Sequence, residues 1–197
     1  DGDADRVIIL DELGNEIDGD QLIALIASNL KSENKIKGDT IVSTVMSNLG
    51  LLRYLKDLGL NLFRTPVGDR YVSEIMKEKG FNFGGEKSGH IIMTDYSSTG
   101  DGLLAALYFL SILKDSGKTT SQLLNVFKPT PQKLLNLNFE SKDDPLDNPE
   151  FNKTIYELRK KISDSGEILV RKSGTEPVIR IMVQHNDTKI FEEILEE

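Results

Sequence analysis

The chain has 197 residues, no cysteine and a formal net charge of −8 at pH 7. That length supports a sizeable core and more than one domain, and the lack of thiols excludes disulfides and thiolate chemistry. The acidic balance argues against a general nucleic-acid surface, which demands clustered Lys and Arg, and the longest apolar run falls short of the roughly 20 residues of a membrane helix.

No basic or Ser-rich leader precedes the first motif, so a cytoplasmic setting is the expectation. The chain opens directly on candidate ligands, with no Met and no strand before them, and reads as part of a longer protein. Residues 7–10 suggest a short strand that 11–15 turn back. Asp18 is placed to cap a helix with the apolar stripe Leu22, Ile23, Leu25, Ile26 and Leu30. The polar stretch 31–38 reads as a linker. An alternation follows: strand 40–45, helix 49–58, strand 60–64, helix 69–79 and strand 81–83. This pattern predicts an α/β fold, a mixed, largely parallel sheet with crossover helices. Helix 102–113 is apolar enough to read as buried core, and 120–127 as a shorter helix. Pro129 and Pro131 break the pattern. An acidic, turn-rich stretch at 141–149 then leads to helix 151–162, strands 167–170 and 178–184 and a last helix from 188, a small C-terminal α+β domain. The domain boundaries expected on this reading are 1–32, 33–130 and 131–197.

Four stretches carry chemistry. In Asp1-Gly2-Asp3-Ala4-Asp5-Arg6, small residues let the backbone curl so that three carboxylates converge. Such carboxylates repel unless a cation sits among them, and an all-oxygen set suits a hard ion such as Mg²⁺. Arg6 adds a fixed positive charge for an anionic substrate. With Glu12, the aspartates also match the spacing of an EF-hand loop, but Arg6 stands where that loop needs Gly, and Leu13-Gly14-Asn15 reads as a turn where a helix should leave. The polar loop Gly84-Gly85-Glu86-Lys87-Ser88-Gly89-His90 lies between apolar strands. Glu86 can accept from two hydroxyls, Ser88 can donate and accept, and His90 adds an imidazole, a set suited to a vicinal diol. The alternative is a polar hairpin turn.

Thr65-Pro66-Val67-Gly68-Asp69-Arg70 opens a helix with Asp69 as an apparent cap, and Asp101 is placed to cap the apolar helix. Arg171-Lys172-Ser173-Gly174-Thr175-Glu176-Pro177 joins two strands. Its hydroxyls, its Gly and the guanidinium fork of Arg171 suit a phosphate. Arg180 alternates with Ile179 and Ile181 and so faces away from the core.

In this order, Asp1 to Arg6, Gly85 to His90 and Arg171 to Pro177 resemble the metal, sugar and phosphate loops of the α-D-phosphohexomutase family. The resemblance implies an enzyme of four domains, of which this chain holds the end of the second, the third and the fourth. It implies Mg²⁺ on Asp1, Asp3 and Asp5, sugar hydroxyls on Glu86 and Ser88, and a phosphate on Arg171, Ser173, Gly174 and Thr175, with Arg6 and His90 near the reacting groups; the outward face of Arg180 makes it a further candidate for the same phosphate. The phosphoserine that donates the phosphoryl group belongs to the first domain and is absent. The implied substrate is a hexosamine phosphate, glucosamine 6-phosphate interconverted with the 1-phosphate. Glucose or mannose phosphates are the neighbouring possibility, and a sugar-phosphate-binding fragment without catalysis is another.

Overall fold

The computed structural model describes residues 1–139, 145–162, 165–173 and 176–196. They divide into two compact units, 1–129 and 130–197.

The first unit is a three-layer α/β/α sandwich. It begins with a small hairpin, β1 (Ile9–Leu10) antiparallel to β2 (Glu16–Ile17), closed by Asp11, whose side chain accepts the amides of Leu13 and Asn15. Helix α1 (Gly19–Ser32) starts at Asp18, whose carboxylate accepts the Gln21 amide. The following elements are β3 (Thr40–Thr44), α2 (Leu49–Asp57), β4 (Asn61–Thr65), α3 (Asp69–Lys79), β5 (Phe83–Gly85), β6 (Ile91–Met93), α4 (Gly102–Ser116) and the short α5 (Thr120–Leu123). The sheet order is β4-β3-β5-β6, parallel except for the β5–β6 hairpin. The period-two alternation of the strands sorts the core. Ile41, Ile91 and Met93 pack with α1, α2 and α4 on one side, whereas Val42 and Ile92 pack with Val72 and Met76 of α3 on the other. Asp18→Ala should cost about 1 kcal/mol through the lost cap, readable as a lower urea midpoint at unchanged slope.

The second unit has an antiparallel sheet of β7 (Gln132–Asn138), β9 (Val178–His185) and β8 (Gly166–Lys172), with β9 in the centre. Helices α6 (Pro149–Ile162) and α7 (Thr188–Glu196) cover one face, packing Leu158, Ile162 and Ile194 on Ile168 and Val183. The α/β class and the α+β C-terminal unit agree with the sequence reading.

Several local expectations need correction. Residues 31–38 do not form a linker, and a boundary at 32 would cut a single core. Helix α1 buries Leu22, Ile23, Leu25, Ile26 and Leu30 against Ile41, Leu51 and Phe83, and Ile36 packs on the same cluster. Asn82 then ties the connector down, donating to Lys35 O and accepting from Lys37 N. Helix α4 is not buried all round. It packs through Ala105 and Phe109, while Leu103, Leu107 and Leu110 remain 67%, 57% and 52% exposed on its opposite stripe. Asp69 lies inside α3, and the capping position belongs to Gly68, whose φ of 133° suits glycine. Strand β7 is an addition. Its signal was the alternation Leu135-Asn136-Leu137-Asn138, overshadowed by the two prolines before it. The acidic stretch expected at 141–149 lies partly outside the described residues.

Candidate functional site

In the first unit the two loops singled out from sequence are seated on each other. The turn between β5 and β6 is closed by Glu86 N donating to His90 O and Gly89 N donating to Glu86 O. The amide of Val7 donates to Gly89 O, and Arg6 pairs with His90 as an isolated β-bridge. From the other side, Gly102 N donates to Ala4 O. Three glycines make this contact possible. A Cβ on Gly89 would overlap the Val7 carbonyl, one on Gly102 the Arg6 carbonyl, and one on Gly100 the imidazole of His90. At Gly89 the φ of +88° adds a backbone reason for the same residue.

The acidic loop meets the requirements of a cation site. Each of Asp1, Asp3 and Asp5 presents an oxygen, and these atoms lie within 4.8 Å of one another. Ala4 makes the convergence possible by taking a left-handed φ of 60°. Asp5 is the innermost of the three. Its Oδ1 is buried and receives no hydrogen bond, while Oδ2 lies 3.4 Å from His90 Nε2. Three carboxylates that each bring an oxygen to one point, one of them with a buried oxygen that receives no hydrogen bond, fit a hard divalent ion, so Mg²⁺ would be held by Asp1, Asp3 and Asp5. Arg6 neutralises part of this cluster, with Nε 2.7 Å from Asp1 Oδ2 and 3.5 Å from Asp5 Oδ1. His90 is 4% exposed, so its place is behind Asp5, orienting that carboxylate, rather than at the solvent face of the site.

The sugar-loop residues divide by exposure. Ser88 is exposed and shares a cleft of about 490 Å³ with Asp1, Arg6, Val7 and Ile8. Glu86 is half-buried, and its Oε1 accepts the Gly68 amide at 3.2 Å, so the loop before α3 holds the carboxylate in place. Arg70, in the first turn of α3, pairs with Glu74 at 2.7 Å.

Sequence reasoning missed the buttress behind this loop. Gly19 N donates to Lys87 O, Lys87 Nζ lies 3.6 Å from Asp18 Oδ2, and a Cβ on Gly19 would overlap Glu86 O. The available signal was a glycine in the first turn of a helix, where propensity disfavours it. Glu12, at the tip of the β1–β2 hairpin, accepts from the amide and hydroxyl of Ser121 at the start of α5. The Ser121 hydroxyl holds its carboxyl down at about 2.

In the second unit, Arg171 on β8 and Arg180 on β9 are direct cross-strand partners. They therefore project from the same face, opposite the one that Ile168 and Val183 present to α6 and α7. Like charges placed opposite each other destabilise a sheet, so the pair is costly unless an anion lies between them. Burial, with Arg180 beside it, lowers the pKa of Arg171, and its Nε is buried without a hydrogen bond. Arg180 Nη2 is 3.3 Å from Glu176. Ser173 is buried and its amide donates to Val178 O. Gly174 and Thr175 lie outside the described residues.

Residues 18–130 match the family model described as "Phosphoglucomutase/phosphomannomutase, alpha/beta/alpha domain III", and residues 134–197 match that of the C-terminal domain. The chain is 50% identical over 197 residues to the phosphoglucosamine mutase of Paracoccus denitrificans, covering 100% of this chain and 44% of that protein. With the phosphoglucosamine mutase of Nitrobacter winogradskyi it shares 50% over 196 residues, again 100% of this chain and 44% of the relative. It thus spans less than half the length of these curated relatives. Among solved structures, a phosphoglucomutase/phosphomannomutase family protein from Burkholderia thailandensis superposes with a TM-score of 0.79 at 25% identity, over 99% of this chain and 43% of that one. The Aspergillus fumigatus N-acetylphosphoglucosamine mutase, solved with GlcNAc-6P and magnesium, shares the fold at a TM-score of 0.77 and 20% identity, over 98% of this chain and 49% of that one. With both family models matched in order along nearly its whole length, the chain belongs to the phosphoglucomutase/phosphomannomutase family, the α-D-phosphohexomutases, and carries the third and C-terminal domains of that architecture.

Proposed function

We propose that the chain supplies the metal, sugar and phosphate loops of a phosphosugar mutase that interconverts glucosamine 6-phosphate and glucosamine 1-phosphate. The observation that carries the reading is that Asp1 and Arg6 of the acidic loop line one cleft with Ser88 of the sugar loop, and that the backbone hydrogen bond from Val7 N to Gly89 O ties the two segments together. The amino-sugar assignment is supported by the 50% identity to proteins named phosphoglucosamine mutase.

The donor phosphoserine comes from outside this chain. The sugar's free hydroxyl attacks the phosphorus of that group, the bond from phosphorus to the serine oxygen breaks, and the proton given up by the sugar hydroxyl ends on the serine oxygen. The resulting bisphosphate turns end for end and returns its other phosphate to the serine. Glu86 and Ser88 orient the ring by its hydroxyls, with Glu86 fixed by the Gly68 amide. Arg6 offers positive charge to the phosphate in transfer, and His90 holds Asp5 in register. Asp1, Asp3 and Asp5 would hold Mg²⁺, which when bound would supply charge neutralisation for the transferring group. Arg171, Ser173, Gly174, Thr175 and Arg180 take the phosphate that is not being transferred. Without the donor serine, the chain alone is expected to bind the sugar phosphate without turning it over.

The test is kcat/KM of the full-length protein with Mg²⁺ for glucosamine 6-phosphate against glucose 6-phosphate. A preference of 100-fold or more for the amino sugar, on the order of 3 kcal/mol, is the expected result. A preference for glucose would overturn the amino-sugar assignment and move the enzyme to hexose phosphates.

A further inference from the structure

The start of α1 holds two carboxylates in opposite environments. Asp18 caps the helix and lies near Lys87. Asp20, two residues on, is completely buried and has no capping role. Its Oδ2 accepts the amide of Asn48, in the turn between β3 and α2, at 2.8 Å, and its Oδ1 receives no hydrogen bond. Of the charged groups that face it, Asp18 on its own helix opposes ionisation and Lys87 on the sugar loop favours it. The Ser47 hydroxyl borders the same carboxyl, where a proton donated to it would favour ionisation.

Ser43 Oγ lies 2.6 Å from Gly85 O, at the root of the sugar loop, and 2.6 Å from Ser47 Oγ. A backbone carbonyl only accepts, so the single Ser43 proton goes to Gly85. The Ser47 proton must then lie between Ser47 and Ser43. Ser47 is left with lone pairs alone to turn toward Asp20. A carboxylate there would face oxygen lone pairs at low dielectric with one amide for compensation, an arrangement whose desolvation cost favours the neutral acid. Burial accordingly pushes the Asp20 carboxyl up to about 7.

We propose that Asp20 serves as a positioning residue in its carboxylic acid form, its proton completing the buried chain through Ser47 and Ser43 to Gly85, so that ionisation above neutrality loosens the sugar loop and weakens sugar-phosphate binding. The binding consequence rests on the function proposed above; the protonation does not. The Gly19–Lys87 hydrogen bond one residue away couples the start of α1 to the same loop, so a shift of the helix terminus is transmitted directly.

Asp20→Asn tests this in the full-length protein, because the amide can donate where the acid does and never ionises. The folded-state pKa stands above the unfolded value of 3.8, so the wild type loses stability as pH rises between those values. The unfolding constant of wild type relative to D20N should therefore grow up to about tenfold per pH unit from pH 4 to 7 and then level off. KM for glucosamine 6-phosphate should rise at least threefold from pH 7 to 8.5 in the wild type relative to D20N, with kcat moving less. In the infrared, wild type at pH 6 should show a protonated-carboxyl band, which needs no variant to fold. Absence of that band, or D20N destabilised equally at every pH, overturns the protonation. A band accompanied by identical KM profiles overturns the coupling to the loop. Absence of turnover with any hexose phosphate overturns the functional reading instead, and the band and stability profile then decide Asp20.

Discussion

Gly89→Ala is expected to lower kcat/KM of the full-length enzyme at least about 100-fold, because it separates the two loops that form the site. Two effects act together. The residue has a φ of +88°, which costs an L side chain roughly 1–2 kcal/mol, and its Cβ would overlap the Val7 carbonyl. To relieve the overlap the metal loop must move away from His90 by a large fraction of an ångström, and displacements of about 1 Å at a reacting centre can cost 10²-fold. Gly59→Ala separates the causes. Gly59 also has a positive φ, +71°, but nothing lies within 4 Å of its Cβ position. That variant should show the backbone strain in its urea midpoint and nearly unchanged kinetics. Equal activity of the two variants would show that the Val7–Gly89 contact does not position the site.

Asp5→Asn should be at least as damaging to activity yet harmless to the fold. In the apo chain its carboxylate adds to a repulsive triplet that Arg6 only partly neutralises, so neutralising it removes repulsion, and thermal stability without Mg²⁺ should be equal or slightly higher. With Mg²⁺ the loss of a charged ligand forfeits several kcal/mol of charge stabilisation. The expected fall in kcat is on the order of 10²–10³, together with a higher Mg²⁺ concentration at half-saturation. His90→Gln, which removes only the support behind Asp5, should cost less, about 10–100-fold. If D5N retained activity and metal dependence, the carboxylate cluster would not be the metal site.

How far the sequence foretold this structure depends on whether the signal is local. The helix stripe from Leu22 to Leu30 and the cap at Asp18 are written in neighbouring residues, and both formed as expected. The convergence of Asp1, Asp3 and Asp5 was legible for the same reason, since their spacing and the small residues between them suffice for a turn. What escaped was non-local. The exposed stripe Leu103, Leu107 and Leu110 looks like core in one dimension, because periodicity records apolarity but not which face finds a partner. The connector at 31–38 looked like a linker because its anchor, Asn82, lies more than forty residues away. Gly19, Gly100 and Gly102 are ordinary glycines until the fold brings Lys87, His90 and Arg6 against them. Arg180 was judged correctly to turn from the core, but only the register of β8 and β9 shows that it stands opposite Arg171.

The most direct measurement is a crystal soak of the chain in Mn²⁺ with glucosamine 6-phosphate, with the metal located by its anomalous scattering. The expected result is one strong peak among Asp1, Asp3 and Asp5, within about 2.0–2.3 Å of an oxygen from each, and sugar density against Ser88 and Glu86. A metal bound elsewhere, or a sugar phosphate that avoids this cleft while the aspartates stay empty, would contradict it.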